Sequence, residues 1–335
     1  MDHPLRSSLL PPFLRACALL FAGILLPALA FASVDDEFVP EGTLFTRFSS
    51  RLETQDRAID RGKRENSLKE YVIPEASNRS QINGRIEREI TRHDLRFTYG
   101  FSDNWNMSLN IPYLQMEQRS SLSTASANLQ ATVARLQSDK ISGIGQVDLV
   151  NMHRPVFSDW NGFIWGYGLS LPGSGQQTPY HDSTTFDLGP PVRRVFIFAH
   201  YTRYTSLPRS RFDLRVLLRM GLKRSVETTS GTNQVLAPGN QVRLKLNWSQ
   251  EIGAVFYGLE LDRAVDRANR LDNESLSDKR NSQTLRLQLG FGNLLDLEQG
   301  PVDFPYQVQV QVETVERGFN HPFGSAVTLS LLMYF

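Results

Sequence analysis

Cysteine is nearly absent: the 335 residues hold one, Cys17, inside an N-terminal apolar run. It does not sit at the end of that run, where the acylated cysteine of a lipoprotein would be. The rest of the chain can form no disulfide and has no thiol chemistry. An excess of either charge is also missing, since 36 Lys and Arg face 35 Asp and Glu. With no phosphate-binding loop in the sequence, that balance argues against a nucleic-acid partner. Past the N-terminal run no segment reaches the roughly 18 consecutive apolar residues of a membrane-spanning helix. The mean hydropathy is −0.31. These figures alone describe a soluble protein, but a transmembrane β-barrel shows lipid only every second residue and averages out polar in the same way.

Catalytic patterns are missing as well. His93, His153, His181, His200 and His321 are scattered, and no Gly-x-Ser-x-Gly run occurs, because Gly173-Ser174-Gly175 lacks the spacing. No His-x-Ser-Asn-Gly run of the kind outer-membrane phospholipases carry is present, and His181-Asp182-Ser183 reads as a solvated triplet in a loop. No spacing of His, Asp and Glu suggests a transition-metal site. An outer-membrane hydrolase therefore remains the least supported alternative, and neither cofactor nor metal is expected.

What is present begins with an export signal. Arg6 and Arg15 precede the apolar run from Ala16 to Leu29, Pro27 breaks it, and Ala30-Phe31-Ala32 forms a small-x-small cleavage site. Residues 1–32 are expected to be a signal peptide and 33–335 the mature protein.

From there on, apolar and polar residues alternate with a period of two, the mark of strands with two unlike faces. The clearest stretch sets Trp105, Met107, Leu109, Ile111 and Tyr113 against Asn104, Asn106, Ser108 and Asn110. Phe212, Leu214, Val216 and Leu218 alternate with Arg211, Asp213, Arg215 and Leu217. Val242, Leu244, Leu246 and Trp248 alternate with Arg243, Lys245 and Asn247. Leu285, Leu287, Leu289 and Phe291 alternate with Arg286, Gln288 and Gly290. Tyr306, Val308, Val310 and Val312 alternate with Gln307, Gln309, Gln311 and Glu313, a polar row that no packed two-sided core would choose. The last stretch carries an apolar row of Val327, Leu329, Leu331, Met333 and Phe335.

About twelve strands result, an even number as in single-chain bacterial barrels. Connectors alternate in length. Ile59 to Asn83, Ser120 to Lys140, Pro172 to Pro190, Glu227 to Gly239 and Asp266 to Lys279 are long and polar, whereas the turns at 102–104, 158–162, Pro208 and 251–253 are tight. Asn293 to Pro305 is long and Gly318 to Pro322 short against that rule. Tyr99, Trp105, Tyr113, Trp165, Trp248, Tyr306, Tyr334 and Phe335 fall near strand ends, where an interfacial girdle wants aromatic rings. A large soluble sandwich would share the alternation, but not the even count, the alternating connectors and the aromatic terminus. The expected fold is all-β, an antiparallel barrel in the bacterial outer membrane. Its last strand would pair with the segment Gly42 to Ala58, with the N-terminus in the periplasm and the long connectors outside.

Three blocks carry a family resemblance. They are Tyr99-Gly100-Phe101-Ser102-Asp103 leading to Leu109-x-Ile111-Pro112-Tyr113, then Gly143-Ile144-Gly145-Gln146-Val147, then Gly168 leading to Leu171-Pro172-Gly173-x-Gly175. Over residues 90–175 the chain resembles the meta-pathway phenol-degradation-like family of outer-membrane channels. It departs from the family pattern at Gln146, where Asp is usual, and at Ser174. The resemblance implies a barrel, passage of small molecules that are aromatic or apolar, and no catalytic residues. In its terminal Phe335 the chain also resembles other outer-membrane barrels, which implies that this residue is the signal read by the barrel-assembly machinery.

If the apolar rows face lipid, the polar rows face the lumen. Arg47, Arg51, Arg88, Arg92, Arg96, Arg194 and Arg286 then point inward, as do Glu53, Asp94, Asp148, Asp213, Glu260, Asp262 and Glu313. The densest basic group is Arg211, Arg215, Arg219, Arg243 and Lys245 on neighbouring strands. Such a wall would draw anionic solutes and focus field lines. Alternatively, the same charges pair off in a salt-bridged interior. The residues leave both open. The expected function is a passive channel or facilitator for a small solute, aromatic or anionic. The contrasting expectation is a closed barrel whose long loops bind a partner.

Overall fold

The computed structural model describes residues 38–59, 65–73, 76–137, 139–157, 161–173, 192–205, 210–227, 233–268, 270–272, 274–275, 280–292, 305–319 and 321–335. The expected signal peptide, the triplet at 181–183 and most of the connector from Asn293 to Pro305 lie outside them. Twelve long antiparallel strands close into one barrel. They are β1 Leu44–Gln55, β2 Ile82–Ser102, β3 Trp105–Thr124, β4 Val147–Phe157, β5 Asn161–Leu171 and β6 Arg194–Tyr204. The second half is β7 Ser210–Gly221, β8 Gln241–Ile252, β9 Val255–Asp266, β10 Arg280–Gly292, β11 Tyr306–Phe319 and β12 Ser325–Tyr334.

Each strand pairs with the next, and β12 closes on β1 in register from Phe45↔Tyr334 to Glu53↔Ala326. The seam ends on two backbone bonds: Leu44 N–H donates to Phe335 O at 2.9 Å, and Phe335 N–H to Leu44 O at 2.8 Å. A closed ring has no open edge, which is the condition for strands to cross hydrocarbon.

The two faces sort by the period of two. Phe48, Leu52, Leu149, Ile197, Phe212, Leu246, Leu289 and Leu329 stand exposed on the outside, Leu329 at 53%. A continuous belt of such side chains would aggregate in water, and around a barrel it is the surface that meets lipid. Aromatic rings gather at the end with the tight turns, where Phe101 stacks on Trp105 at 4.6 Å and His153 on Trp165 at 4.8 Å. Tyr334 does not join this girdle. It turns inward with Phe45, ring centroids 4.9 Å apart, and packs with Val39 and Leu332. Tyr306 is buried too, although it shares the parity of the exposed Val308 and Val310. Position near a strand end sets the height of a ring; the parity of the residue sets its face, and Tyr334 shares parity with the lumenal Thr328 and Ser330.

At the loop end the strands depart from expectation. The first segment breaks at Asp56, and Arg57–Ile59 pairs instead with Glu65–Ser67 and His321–Phe323. The stretch from Gly318 to Pro322 is therefore largely strand rather than a simple turn. Helices Leu68–Val72, Ala76–Gln81 and Gln130–Arg135 occupy stretches that read as loop, and short strands at 224–227, 233–237, 270–271 and 274–275 form a separate sheet. Strands β2 and β3 run to 21 and 20 residues, well beyond the roughly 9–11 that cross a bilayer. Their projecting halves carry Arg85, Glu87, Glu117 and Arg119 outward. On the inner side Ile82 and Ile86 pack with Leu68, Ile73, Leu129, Val133 and Leu136. A small water-soluble core thus rides on the barrel rim.

Asp139–Ile144 continues β4 upward across a one-residue bulge at Gly145-Gln146. The bulge lies opposite Pro112, which has no N–H to give the ladder, while Gly145 N–H donates to Pro112 O at 2.8 Å. The first two family-like blocks meet here, and the third lies on the adjacent β5.

Candidate functional site in the barrel lumen

The lumen has two unlike walls. Along β7 to β11, and on β1 and β2, most inward residues in the lining are charged or carry amides, and cross-strand register sets opposite signs side by side. Lys245 faces Asp262, Glu260 faces Arg286, and Arg286 faces Glu313. Arg286 is the hub: its guanidinium touches Glu260, Asp262 and Glu313, the Asp262 contact being 2.8 Å. Each carboxylate then takes a second cation. Glu260 pairs with Lys245 at 3.2 Å, Asp262 with Arg243, and Glu313 with Arg51 at 2.9 Å. Arg51 also holds Glu53 at 2.8 Å, and on β2 Arg92 forks onto Asp94 at 2.7 Å.

A second knot surrounds Asp213. Thr202 Oγ1 donates to it at 2.8 Å and Asn247 Nδ2 at 3.0 Å, with Arg211 at 3.1 Å and His200 Nε2 at 3.3 Å. Arg219 on β7 reaches over two strands to Asp148 on β4 at 3.0 Å.

The facing wall, β4 to β6, carries an apolar patch beside Asp148, His200 and Thr202. Met152 and Ile164 are buried, with Val150 and Phe198 packed against them. Phe196 lies beside Gly168, where an added Cβ would meet the ring at 2.3 Å. Absence of a side chain there lets the ring lie along the wall instead of standing into the lumen. The Arg219 guanidinium sits 5.3 Å from the Phe196 ring centre, a cation–π contact.

Two cavities of about 320 and 310 Å³ lie between the walls. Arg47, Arg92, Asp94 and Arg215 line both, so the spaces adjoin. Together they are lined by ten Lys and Arg against five Asp and Glu. Below them, at the turn end, the segment ahead of β1 folds inward. Phe38 packs with Met152 and Ile164 on one side, and Val39 with Phe45, Leu332 and Tyr334 on the other. Arg154 covers the Phe38 ring at 4.4 Å. Gly100 makes room for this crossing, because a Cβ there would lie 2.1 Å from Pro40 O. Gly42 N–H also donates to Gly100 O at 2.9 Å.

Arg211, Arg215, Arg243, Lys245 and Arg286 line the second cavity, and Arg215 and Arg219 the first. Phe335 sits at the seam, 63% exposed. Phe38 and Val39 precede any periodic stretch, and sequence reasoning leaves open whether the segment Val34 to Glu41 plugs the barrel from below. Phe196 and Phe198 escaped that reasoning because Val195, Ile197 and Ala199 make β6 apolar on both faces, which erases the alternation. Among the described residues no group of three His, Asp or Glu gathers as a metal site.

No protein-family model matches the sequence, and no curated protein matches it. Among solved structures the chain is similar to the crystal structure of an outer-membrane channel from Pseudomonas putida F1, with a TM-score of 0.62 at 15% identity, covering 90% of this chain and 99% of that one. Fainter likenesses are the KdgM porin (TM-score 0.39, 9% identity, 88% and 99% covered) and the monoaromatic hydrocarbon channel CymD (TM-score 0.37, 7% identity, 88% of each covered). A closed ring of twelve strands, an apolar belt outside and a charged lumen within make this chain an outer-membrane β-barrel.

Proposed function

We propose that the barrel is a passive channel for small solutes, with a preference for anions. The adjoining lumenal cavities carry this reading, because they offer an interior lined by twice as many cations as carboxylates. Most of these charges are paired along the ladder, which holds the wall in place, and the excess sets the sign of the field in the passage. Transport then needs no chemistry, only entry without trapping. The fold shared with the Pseudomonas channel is consistent with this. So are the blocks at 99–113, 143–147 and 168–175, whose family resemblance implies the passage of small molecules. The mature chain would begin at Ser33, with the loop end facing outward.

Planar-bilayer recordings of the refolded protein test this directly. Stepwise currents with chloride favoured over potassium are expected, and Arg215→Glu with Arg219→Glu should reverse that preference. Silence in the bilayer together with no uptake into loaded vesicles would sink the channel reading in favour of a closed, surface-binding barrel. Unchanged selectivity in the double variant would leave the basic wall a structural feature only.

The seam supplies a second expectation. Phe335 contributes its backbone to the closing ladder while its ring stands outside, so we assign it a role in recognition by the assembly machinery. Deleting it should lower the amount of protein inserted in the outer membrane severalfold, while inserted molecules conduct as the full chain does. Normal insertion of the shortened chain would remove the assignment.

A further inference from the structure

We infer that the first lumenal cavity is a binding station for a small amphipathic anion, one with a flat apolar body and a single carboxylate. Its part in transport rests on the channel reading; its ability to bind does not. The volume of about 320 Å³ falls in the range of roughly 300–1,000 Å³ found for small-ligand sites. Val150, Met152, Phe196 and Phe198 line one side, Arg47, Arg92 and Arg96 another, and on β7 Arg215 and Arg219 flank Leu217. The carboxylates in that lining are Asp94, engaged by Arg92, and Asp148, engaged by Arg219. Arginines thus outnumber carboxylates five to two in that lining, which favours an incoming anion.

The two sides select together. An arginine presents two parallel N–H donors to a carboxylate, and a benzene ring packs edge-on or offset on another. A neutral hydrocarbon would bury guanidinium groups without returning hydrogen bonds, which is unfavourable. An inorganic anion would gain nothing from Phe196 and Phe198. Only a solute with both parts uses both walls. The second cavity sharpens the contrast: its lining is charged, amide, histidine and hydroxyl side chains, with no aliphatic or benzenoid group. Phe38 packs with Met152 and against Val150 and Phe198, so the apolar wall turns under the cavity. The ring of the solute would point to this floor and the carboxylate toward the arginines nearer the loop end.

Isothermal titration of the full barrel in lipid nanodiscs with benzoate, phenol and acetate tests the station. Benzoate is expected to bind saturably and about tenfold more tightly than acetate or phenol, the loss of either half of the molecule removing about 1.4 kcal/mol or more. Phe198→Ser should bring benzoate down to the acetate level, and Arg96→Gln should weaken benzoate and acetate alike. Benzoate binding no more tightly than acetate, or unaltered benzoate affinity in a folded Phe198→Ser barrel, would overturn the proposal. The ligand series on the unaltered chain decides the matter even if a variant does not fold. Benzoate binding without stepwise current would keep the station and defeat the channel reading; current without benzoate binding would do the reverse.

Discussion

Replacing Phe38 and Val39 together by glycine is expected to raise single-channel conductance severalfold, because these two side chains carry the segment that crosses the turn end of the lumen. Phe38 fills a place between Met152 and Ile164, and Val39 one between Phe45, Leu332 and Tyr334. Burial of each is worth about 1.5–3 kcal/mol. The floor is therefore held by apolar contact, and removing that contact should tip it open. Phe38→Leu, which keeps an apolar group in place, should conduct close to the unaltered chain. A double-glycine variant with ordinary conductance would show that the passage is limited elsewhere.

How far such features can be read from the sequence depends on whether their two faces differ. Strand β3 is legible because Trp105 to Tyr113 meets lipid on one side and water or polar groups on the other, and the same holds for β7, β8, β10 and β11. Parity alone then places Arg215 or Arg286 in the lumen. Parity does not set register, however. That Arg286 meets Glu260, Asp262 and Glu313 follows from how β9, β10 and β11 align, and the turn and connector that fix this alignment carry no period. Strand β6 hides its function for the opposite reason, since Phe196 and Phe198 alternate with residues as apolar as themselves. The rim core built on Leu68, Ile82 and Leu129 was illegible for a third: a few apolar anchors spread over segments 60 residues apart leave no pattern in any one of them.

Arg286→Met should cost the barrel about 3–5 kcal/mol, as expected when one partner of a buried charge network is removed. Methionine fills much of the space of the arginine stem, so the loss isolates the charge. Three carboxylates lose a shared cation at once. Glu260 keeps Lys245, Asp262 keeps Arg243 and Glu313 keeps Arg51, yet Glu260 and Asp262 have side chains only 13% and 3% exposed, so water screens little of their mutual repulsion. Lysine at the same position should recover only part of the loss, because a single ammonium cannot hold carboxylates contributed by strands on both sides as the guanidinium fork does. Urea unfolding in phospholipid vesicles, followed by tryptophan fluorescence, reads these differences. Adding Glu313→Gln to Arg286→Met should return stability, since it removes one of the stranded charges. The same variant carries a second, independent signature. With the hub gone the arc from β9 to β11 becomes more negative, and the preference for chloride should fall. A loss of stability without that shift would confine Arg286 to holding the wall together; no loss of stability would mean that lumenal water already solvates the three carboxylates.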